Sequence, residues 1–513
     1  MRQLRGQDAS FLYSDTGHSN ANVTLIHIYD QSTAPGGKVR FKSILSHIES
    51  RLNRSPVFRQ RLLRVPLELD YPYWIEDENF DLEYHVRHIA LPDPGDWRQF
   101  CIQASRIHAR PLDLSRPLWE IYVIEGLDKL LNLPPGSFAL LTKIHHAAID
   151  LEAGAEISMA LHDTTPDTPP PEPPEPWFPE SAPGTLALLH RSFVHNLMSP
   201  FRLARPLTSM ITRLAPAALS LVGDALLRPE TMPVTRFNAV VSPHRVFETR
   251  RFPLSEFRQI RALVDGATVN EAVIAVCAGG LRRYLEHTGE LPEASLTAIA
   301  TATLRSDDEQ HRPELRLIRL ALGTHIADPI ERLAYLHRQA ESSDALTRAV
   351  DAKELTDITQ HTPAATLALT AKLLGSAALG VGRRAPLANC TITNVPGPSV
   401  PLYLDGARMT YFSAIMPISD GMGLVFAVTS YDDMIIVSPT SCREQVPDPE
   451  YFAQCVRDSF QEYLALTTPP VRSARPRASA SGKSAPAARA ARTVSRRPRP
   501  APAGRRRSTA PAR

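Results

Sequence analysis

A proline-rich stretch inside the chain sets the first limit on how this sequence can fold. Nine of the 46 prolines stand between Pro166 and Pro183, in TPDTPPPEPPEPWFPESAP. Proline has no backbone N–H to donate and clashes with the preceding helical turn, so neither a helix nor a sheet ladder runs through such a segment. We therefore expect a semi-rigid linker over residues 163–184, partly in the polyproline II conformation.

The region before the linker, residues 1–162, mixes strand and helix patterns. Val23–Asp30 and Leu118–Leu127 are rich in β-branched residues in an alternating pattern, as strands are. Ser43–Ser55 and Trp97–Leu112 carry apolar residues at helical spacing. This mixture predicts an α/β lobe.

A second α/β lobe is predicted over residues 241–467. Thr268–Gly289 has a helical pattern that ends at a glycine, and Asp448–Leu466 is an amphipathic closing helix. Three segments of strand type lie between them: LTAIATATLR, CTITNVPGP and GLVFAVTSY. The body is thus predicted to be α/β, with two lobes joined by the linker and helices. A chain of 513 residues has room for two or three domains of ordinary size.

Residues 185–240 are predicted to form a basic, amphipathic, helical connection. Between Thr185 and Arg228, apolar residues are interspersed with five arginines, and Asp224 is the single acidic residue. A helix of this composition can lie on a membrane surface. It can also pack as a helical pair against the body, and the sequence favours this second alternative without deciding between them.

The last region, residues 468–513, differs from the body in charge. From Val471 onward it has 13 Lys or Arg and no acidic residue, which leaves the first 470 residues with a net charge of −10. Because it lacks apolar periodicity, this tail is predicted to be disordered. Its charge suits anionic lipid headgroups, nucleic acid, the acidic body or simple solvation. No aromatic residue stands among its arginines, so no specific nucleic acid is expected as a partner.

Cysteine usage and hydropathy bear on the compartment. The five cysteines are scattered, without a CxxC pair or a metal-type cluster, which favours a reducing compartment and no bound metal. The N-terminal residues lack the apolar stretch of a signal peptide. No run reaches the roughly 20 apolar residues of a membrane span. We therefore expect a cytoplasmic protein.

The segment KIHHAAIDLEAG, residues 143–154, holds the residues best suited to chemistry. A strand is predicted to run to about His146 and a helix to follow from Leu151, with Asp150 at or near its N-cap. Because side chains alternate along a strand, His145 and His146 point to opposite faces, and one of them can serve a site. An imidazole at that place can act as a general base. The alternative interpretation is that both histidines are buried and purely structural, which the same spacing would allow.

Five segments, in the same order, resemble those of one family. HHAAID is similar to the HHxxxDG signature of the superfamily that includes chloramphenicol acetyltransferase and the condensation domains of peptide synthetases. Other segments resemble the bacterial wax ester synthase/acyl-CoA:diacylglycerol acyltransferases: LRGQDASFLYSDT, RPLDLSRPLWEIYVIEGL, TVNEAVIAVCAGGLRRYL and ITNVPGPSVPLYLDGARM. The resemblance covers residues 4–467 of the chain.

This resemblance implies a fold and an activity. The fold would have two chloramphenicol-acetyltransferase-like lobes with a channel between them. The activity would be transfer of a fatty acyl group from acyl-CoA, as co-substrate, to diacylglycerol or a long-chain alcohol. No further cofactor and no metal is implied. Since the substrates partition into lipid, the protein is expected at the periphery of the inner membrane or of lipid bodies.

The resemblance also implies roles for individual residues. His146 would be the base that deprotonates the acceptor hydroxyl, supported by His145, Asp150 and Arg305, with Asp150 paired to Arg305. The substrate channel would be lined by Leu151, Asn270 and Asn394. A helix N-cap is an alternative role for Asn270. No serine stands in a G-x-S-x-G setting, which fits direct transfer without an acyl-enzyme.

The chain departs from the family pattern near these positions. Leu151 stands where the signature has glycine and adds a side chain at the mouth of the channel. Asn270 and Glu271 stand where the family has an Asn-Asp pair, and Glu271 is one methylene longer than the aspartate. These departures are compatible with reduced, altered or lost turnover. They keep two alternatives open: a non-catalytic relative that binds lipid or acyl-CoA, and transfer to an acceptor outside neutral lipids.

Overall fold

The strand that leads to the histidine pair lies inside a six-stranded sheet in a computed structural model of the chain. The structure describes residues 1–127, 133–149, 157, 159–167, 177–179, 181–194, 232–303, 315–347, 388–398 and 400–467. The predicted tail lies outside these ranges, as do most of the predicted linker and much of the basic connection.

Strands and helices are interspersed along the chain, as the sequence predicts for an α/β protein. In the described residues the strands are β1 (Arg2–Gln3), β2 (Asn22–Asp30), β3 (Gln60–Leu63), β4 (Tyr73–Glu76), β5 (Val86–Ala90), β6 (Trp119–Glu125), β7 (Phe138–His145), β8 (Arg245–Phe247), β9 (Arg250–Pro253), β10 (Thr297–Thr303), β11 (Leu315–Ala321), β12 (Cys390–Pro396), β13 (Tyr403–Leu404), β14 (Ala407–Ile415), β15 (Leu424–Tyr431) and β16 (Met434–Cys442). The helices are α1 (Gly6–Ser14), α2 (Phe41–Glu49), α3 (Leu82–His85), α4 (Trp97–Ala109), α5 (185–194), α6 (Leu254–Arg261), α7 (Val269–His287), α8 (Pro329–Thr347) and α9 (Pro449–Thr467).

The first sheet has the strand order β13-β14-β2-β7-β6-β5. Only the pair at one edge, β5 with β6, is parallel, and the other pairs are antiparallel. β7 therefore has a partner on each side, and every one of its residues is buried. The end of β7 is held by two neighbouring strands, which gives the histidine pair a rigid base.

The two faces of the first sheet pack against different cores. Leu140 and Ile144 of β7 join one apolar core, in which Ile157 and Leu161 also lie. Ala139 and Leu141 join another core, which includes buried side chains of α4 such as Phe100 and Ile107. The alternation predicted for this strand is thus confirmed as far as Ile144.

The second sheet has the strand order β11-β10-β12-β15-β16-β8, and β9 also pairs with β16. Its core is formed with α7 and α9, whose buried side chains include Cys277, Leu281, Phe452 and Phe460. The predicted helix over Thr268–Gly289 and the predicted closing helix are both confirmed, to within three residues at each end.

One strand pair departs from the predicted division at residue 241. β13 and β14 come late in the chain, yet they extend the first sheet, where β14 pairs with β2. Eight of the nine residues of β2 are buried, so without β14 a buried strand would keep an unpaired edge. Side chains of β14 enter both cores of the first sheet, Met409 and Phe412 on one face and Tyr411 and Ile415 on the other. The two sheets are thus not separated by the predicted boundary.

The helix predicted over Ser43–Ser55 is shorter in the structure. α2 ends at Glu49, and Leu52–Arg54 form a separate 3-10 turn. Pro56 accounts for the end of this turn at Arg54, because proline disfavours the helical conformation in the residue before it, and Ser55 is extended. Among the described residues, no helix combines the length and apolar character that crossing a bilayer requires.

Candidate active site

The histidine pair lies where β7 ends. The strand stops at His145, and His146–Ala148 form one turn of 3-10 helix. The amide of His145 donates to the carbonyl of Leu118 at 3.0 Å, and the amide of His146 donates to that of Ala21 at 2.8 Å. The predicted end of the strand is confirmed to within one residue. Of the predicted helix that follows, residues 157 and 159–161 are described as helical.

The ring of His145 is buried and has partners at both nitrogens. Nε2 lies 3.1 Å from Oδ2 of Asp15, and Nδ1 accepts the amide N–H of Ala147 at 3.1 Å. Because Nδ1 accepts, the proton of a neutral ring is on Nε2 and is donated to Asp15. A ring held in this way cannot take a further proton on Nδ1 without losing the Ala147 contact. This arrangement fits the supporting role predicted for His145, which stays a prediction.

The ring of His146 has a different environment. It is stacked on the ring of Phe11 in α1, with 3.9 Å between centroids and 19° between planes. The residue is half-buried, and within the described part of the chain its buried Nδ1 has no hydrogen-bond partner. The imidazole is therefore not sealed in an apolar interior, and it is not committed to a structural hydrogen bond at that nitrogen.

The surroundings of His146 favour the neutral imidazole. Burial lowers the pKa of His146, the carbonyl of the same residue raises it in part, and the neighbouring His145 lowers it further. A neutral imidazole is the form that can accept a proton from a hydroxyl. At neutral pH the ring is therefore in the protonation state that a general base requires.

A buried ion pair lies two residues before the histidines. Lys143 of β7 is fully buried, and its Nζ lies 2.9 Å from a carboxylate oxygen of Glu120 on β6. The same Nζ donates to the carbonyls of Ile107 and Arg110 at the end of α4, at 3.3 and 3.1 Å. Burial lowers the pKa of Lys143, and Glu120 partly restores it. The pair ties β7, β6 and α4 together directly below the candidate site.

A second buried histidine adds to this polar layer. Nδ1 of His108, on α4, lies 2.9 Å from the hydroxyl of Thr24 on β2. Burial, together with the positive charges of Arg245 and Lys143, lowers the pKa of His108 to about 3. His108 is thus a neutral structural histidine, in contrast to the half-buried His146.

A cavity of about 270 Å³ opens beside the turn that follows His146. Ala147 and Ala148 form one side, and the small sheet β1-β4-β3 with the start of α1 forms much of the rest. Its other lining residues are Arg2, Gln3, Arg5, Asp8, Ser55, Pro56, Val57, Gln60 and Trp74. All of these residues belong to the first lobe, so this cavity is not the channel predicted between the lobes, which stays a prediction.

The other predicted site residues are placed as follows. Asn270 is the second residue of α7 and is half-buried, and the N-cap of that helix is Thr268, so the alternative cap role for Asn270 is wrong. Asn394 lies in β12, opposite Val428 of β15. Both belong to the second sheet and its helices, whereas the histidines belong to the first. Asp150, Leu151 and Arg305 lie outside the described residues.

Glu271, the longer member of the Asn-Glu pair, has a structural role in the fold. Its Oε2 accepts the amide N–H of Thr268 at 3.0 Å, and the hydroxyl of Thr268 accepts the amide of Glu271 at 3.2 Å. This reciprocal arrangement is a capping box. The same Oε2 lies 3.0 Å from Nδ1 of His337 in α8. Glu271 therefore begins α7 and joins it to the neighbouring helix.

Sequence reasoning missed three residues around the site: Phe11, Asp15 and Lys143. Lys143 carried a signal, because a lysine within an otherwise apolar strand must find a buried partner. Phe11 and Asp15 lie in LRGQDASFLYSDT, but nothing in that segment indicates which later residues they contact. All five cysteines are buried with free thiols, and no metal-type cluster of His, Cys, Asp or Glu occurs in the described ranges.

Sequence comparison relates the chain to acyltransferases. Residues 4–273 match the family described as the wax ester synthase/diacylglycerol acyltransferase catalytic domain, and residues 314–463 match the WS/DGAT C-terminal domain. A protein of Mycobacterium tuberculosis (strain CDC 1551 / Oshkosh), named as a candidate diacylglycerol O-acyltransferase, is 30% identical over 470 residues, which cover 90% of this chain and 89% of that protein. The O-acyltransferase WSD of Acinetobacter baylyi is 31% identical over 388 residues, with 73% and 79% covered.

Comparison with solved structures agrees with the sequence comparison. The wax ester synthase/diacylglycerol acyltransferase of Marinobacter aquaeolei VT8 superposes with a TM-score of 0.65 at 25% identity, covering 91% of this chain and all of that one. The starter condensation domain of rhizomide synthetase RzmA superposes with a TM-score of 0.51 at 13% identity, covering 91% and 94%. The second likeness concerns the fold alone, and it agrees with the predicted arrangement of two chloramphenicol-acetyltransferase-like lobes.

Proposed function

The chain belongs to the wax ester synthase/diacylglycerol acyltransferase family and is an O-acyltransferase, and we propose that it transfers the acyl group directly, with His146 as the base. The donor is acyl-CoA, and the acceptor is the hydroxyl of diacylglycerol or of a long-chain alcohol. The products are triacylglycerol or wax ester. A purely lipid-binding relative is not favoured, since the matched relatives named above carry acyltransferase names.

One observation carries the assignment of the base. Of the two adjacent histidines, His145 has both ring nitrogens engaged, whereas His146 has a half-buried ring with no partner at Nδ1 in the described residues. Since Nδ1 of His146 is buried against the protein, we assign Nε2 to the substrate side. Burial keeps this imidazole neutral and ready to accept a proton.

The reaction then proceeds without an acyl-enzyme. Nε2 of His146 accepts the proton of the acceptor hydroxyl as the oxygen attacks the thioester carbonyl. The new C–O bond forms and the C–S bond breaks, so that the acyl group passes to the acceptor oxygen. The CoA thiolate takes the proton back from the imidazolium and leaves as a thiol. No metal and no cofactor other than the co-substrate enters these steps.

The remaining residues are assigned supporting parts. Asp150, paired with Arg305, would hold the end of the histidine segment, and Asn270 and Asn394 would line the channel between the lobes. Leu151 would narrow that channel, because the family signature has a glycine there. On this proposal Leu151→Gly raises turnover or broadens the range of acceptors, and unchanged kinetics would remove this account of the position.

The site of action is proposed to be a lipid surface, at the inner membrane or on lipid bodies. On α5, Leu186 is 82% exposed and Phe193 is 69% exposed, while Leu188 and Ser192 are buried. Leu186 and Phe193 are two helical turns apart and so share a face. An exposed apolar helix face on a helix that also exposes Arg191 suits the interface of an anionic membrane.

The experiment compares His146→Ala with the unmutated protein in transfer of labelled palmitoyl groups from CoA to hexadecanol and to dioleoylglycerol. We expect turnover to fall by about 10²- to 10⁴-fold, the usual contribution of a general base, with thermal stability nearly unchanged. His325→Ala, a change at an exposed histidine between β11 and α8, is the control and should leave turnover unaltered. A folded His146→Ala variant with full activity would exclude His146 as the base.

A further inference from the structure

We infer that α1 positions His146 for catalysis through two side chains: Phe11, which stacks on its imidazole, and Asp15, which holds the backbone on both sides of it. The inference deepens the proposed function and rests on His146 being the base. Both side chains come from the first helix and its C-cap, so one short element would orient both histidines of the motif.

Phe11 fixes the plane of the imidazole. The two rings are 3.9 Å apart and nearly parallel, which leaves the imidazole free to shift within its plane but not to tilt out of it. Within the described residues, no hydrogen bond at Nδ1 of His146 fixes the plane of the ring. Among the contacts of the described residues, stacking is therefore the one that directs Nε2, and catalysis depends steeply on the direction of a base toward its proton.

Asp15 holds the backbone of the turn. Its Oδ1 accepts the amide of Ala21 at 2.8 Å, and the carbonyl of Ala21 accepts the amide of His146. Its Oδ2 accepts Nε2–H of His145, whose Nδ1 accepts the amide of Ala147. One carboxylate thus supports two amides of the turn. It supports the amide of His146 through Ala21 and the amide of Ala147 through His145.

The two roles of Asp15 require a carboxylate. An asparagine has one acceptor oxygen, and two donors, Ala21 N–H and His145 Nε2–H, compete for it. If His145 instead moved its proton to Nδ1, that proton would face the amide N–H of Ala147. Asp15→Asn therefore breaks one of these links however the amide is turned, although it barely changes side-chain volume.

The first test measures Asp15→Asn in the full-length protein. We expect kcat to fall by about 10- to 100-fold, as for a small misplacement of a catalytic group, while KM for palmitoyl-CoA stays within twofold. In the same samples, ¹⁵N NMR of labelled histidine rings reports the tautomer of His145, assigned with His145→Gln. The Nε2–H form should be present in the unmutated protein, and in the variant either this form or the protection of the Ala21 amide against hydrogen exchange should be lost. Glu293→Gln, at an exposed carboxylate before β10, should change neither quantity.

The second test separates stacking from folding. Phe11→Leu keeps an apolar side chain but removes the ring, and Phe11→Tyr keeps the ring. We expect Phe11→Leu to lower kcat by about threefold to tenfold, in the range of one aromatic contact, and Phe11→Tyr to restore most of it. If Asp15→Asn does not fold, this pair still decides whether α1 positions the base.

The possible failures are distinguishable. If folded Asp15→Asn and Phe11→Leu both keep full kcat while His146→Ala is inactive, the positioning role is wrong and the proposed function stands. A rise in KM with unchanged kcat would also overturn it, because it would place α1 in substrate binding. If His146→Ala keeps full activity, the proposed function fails, and the positioning role fails with it, whatever tautomer His145 shows.

Discussion

The two large sheets differ in what they bury. The first sheet encloses charged and titratable side chains beside its apolar cores: Lys143, Glu120, His108 and His145. The core of the second sheet is formed by aliphatic and aromatic side chains with α7 and α9 packed closely over it, and Arg332 of α8 is a charged side chain buried beside it, which donates to the Tyr463 hydroxyl at 3.2 Å. Burying a charge is costly unless it is paired, so such groups are expected where they position something. The contrast places chemistry on the first sheet and support on the second.

The second part of the chain is nevertheless required by the first sheet. β14 completes the edge beside β2, and the Tyr411 hydroxyl lies 2.9 Å from that of Thr249. The indole N–H of Trp97, in α4, donates to Glu248 at 2.6 Å. Changes in the second sheet and its helices, away from the proposed channel residues Asn270 and Asn394, should therefore lower stability without altering turnover per folded molecule. Changes in the polar layer of the first sheet should alter both.

Lys143→Met should have the largest effect on stability. The substitution leaves the Glu120 carboxylate buried with Arg87 and Tyr122 but without its nearest cation, and removes a donor from two carbonyls at the end of α4. Breaking a buried pair costs about 3–5 kcal/mol. Urea unfolding should show that loss, and kcat should fall as well, since β7 carries the histidines. Lys42→Met, on the exposed side of α2, should show neither effect. A loss below 1 kcal/mol would mean that the pair is not a structural element of the site.

Gly280→Ala tests the second sheet, where we expect a loss of stability without the loss of kcat expected for Lys143→Met. A Cβ at this glycine of α7 would lie 2.8 Å from Cγ2 and 2.9 Å from Cα of Val456 in α9, so the two helices must move apart. Such overpacking costs about 1–3 kcal/mol. We expect a lower thermal midpoint and an unchanged kcat for the folded fraction. Gly184→Ala, where a Cβ would meet nothing within 4 Å, is the matched control. Reduced kcat in folded Gly280→Ala would show that the second sheet takes part in positioning the site.

How far the sequence predicts this molecule depends on the kind of contact. Hydrophobic spacing and turn residues are local signals, and they predict β2, β7, α7 and α9 closely because each element keeps the spacing of a strand or of a helix along its length. The alternation along β7 likewise predicts which of its side chains share a core. The placement of His146 at the strand end follows from the same pattern.

The contacts that hold the site are not local and could not be read from the pattern. β14 joins β2 across more than 370 residues, and its own sequence is as compatible with one sheet as with the other. Asp15 meets His145 across 130 residues of chain. The sequence also allows Asn270 as the cap of α7, but Thr268 is the cap, because its capping box with Glu271 satisfies two amides.

His108 should make the first sheet sensitive to acid. Its pKa is about 3 in the folded protein, lowered mainly by burial, whereas an unfolded histidine titrates near 6.5. Between these values the unfolded chain binds a proton that the folded chain does not. The free energy of unfolding should therefore decrease by about 1.4 kcal/mol per pH unit from this residue as the pH falls below about 6.5. His108→Gln should reduce the slope of stability against pH by one proton between pH 6 and 4. An unchanged slope would place the acid sensitivity elsewhere.

Glu271→Asp should have the smallest effect, and it probes why this chain has the longer acid on the second lobe. Aspartate is one methylene shorter and cannot keep both the amide of Thr268 and Nδ1 of His337 on one oxygen at 3.0 Å. We expect a loss of roughly 0.5–1 kcal/mol, the size of a weakened helix cap, measured by urea unfolding. Glu271→Gln, which retains the length and a carbonyl oxygen, should keep the cap and lose less. If Glu271 is structural, both variants retain kcat and KM. A change in KM for the acceptor would instead show that Glu271, beside the proposed channel residue Asn270, also acts on substrate binding, and its purely structural role would be wrong.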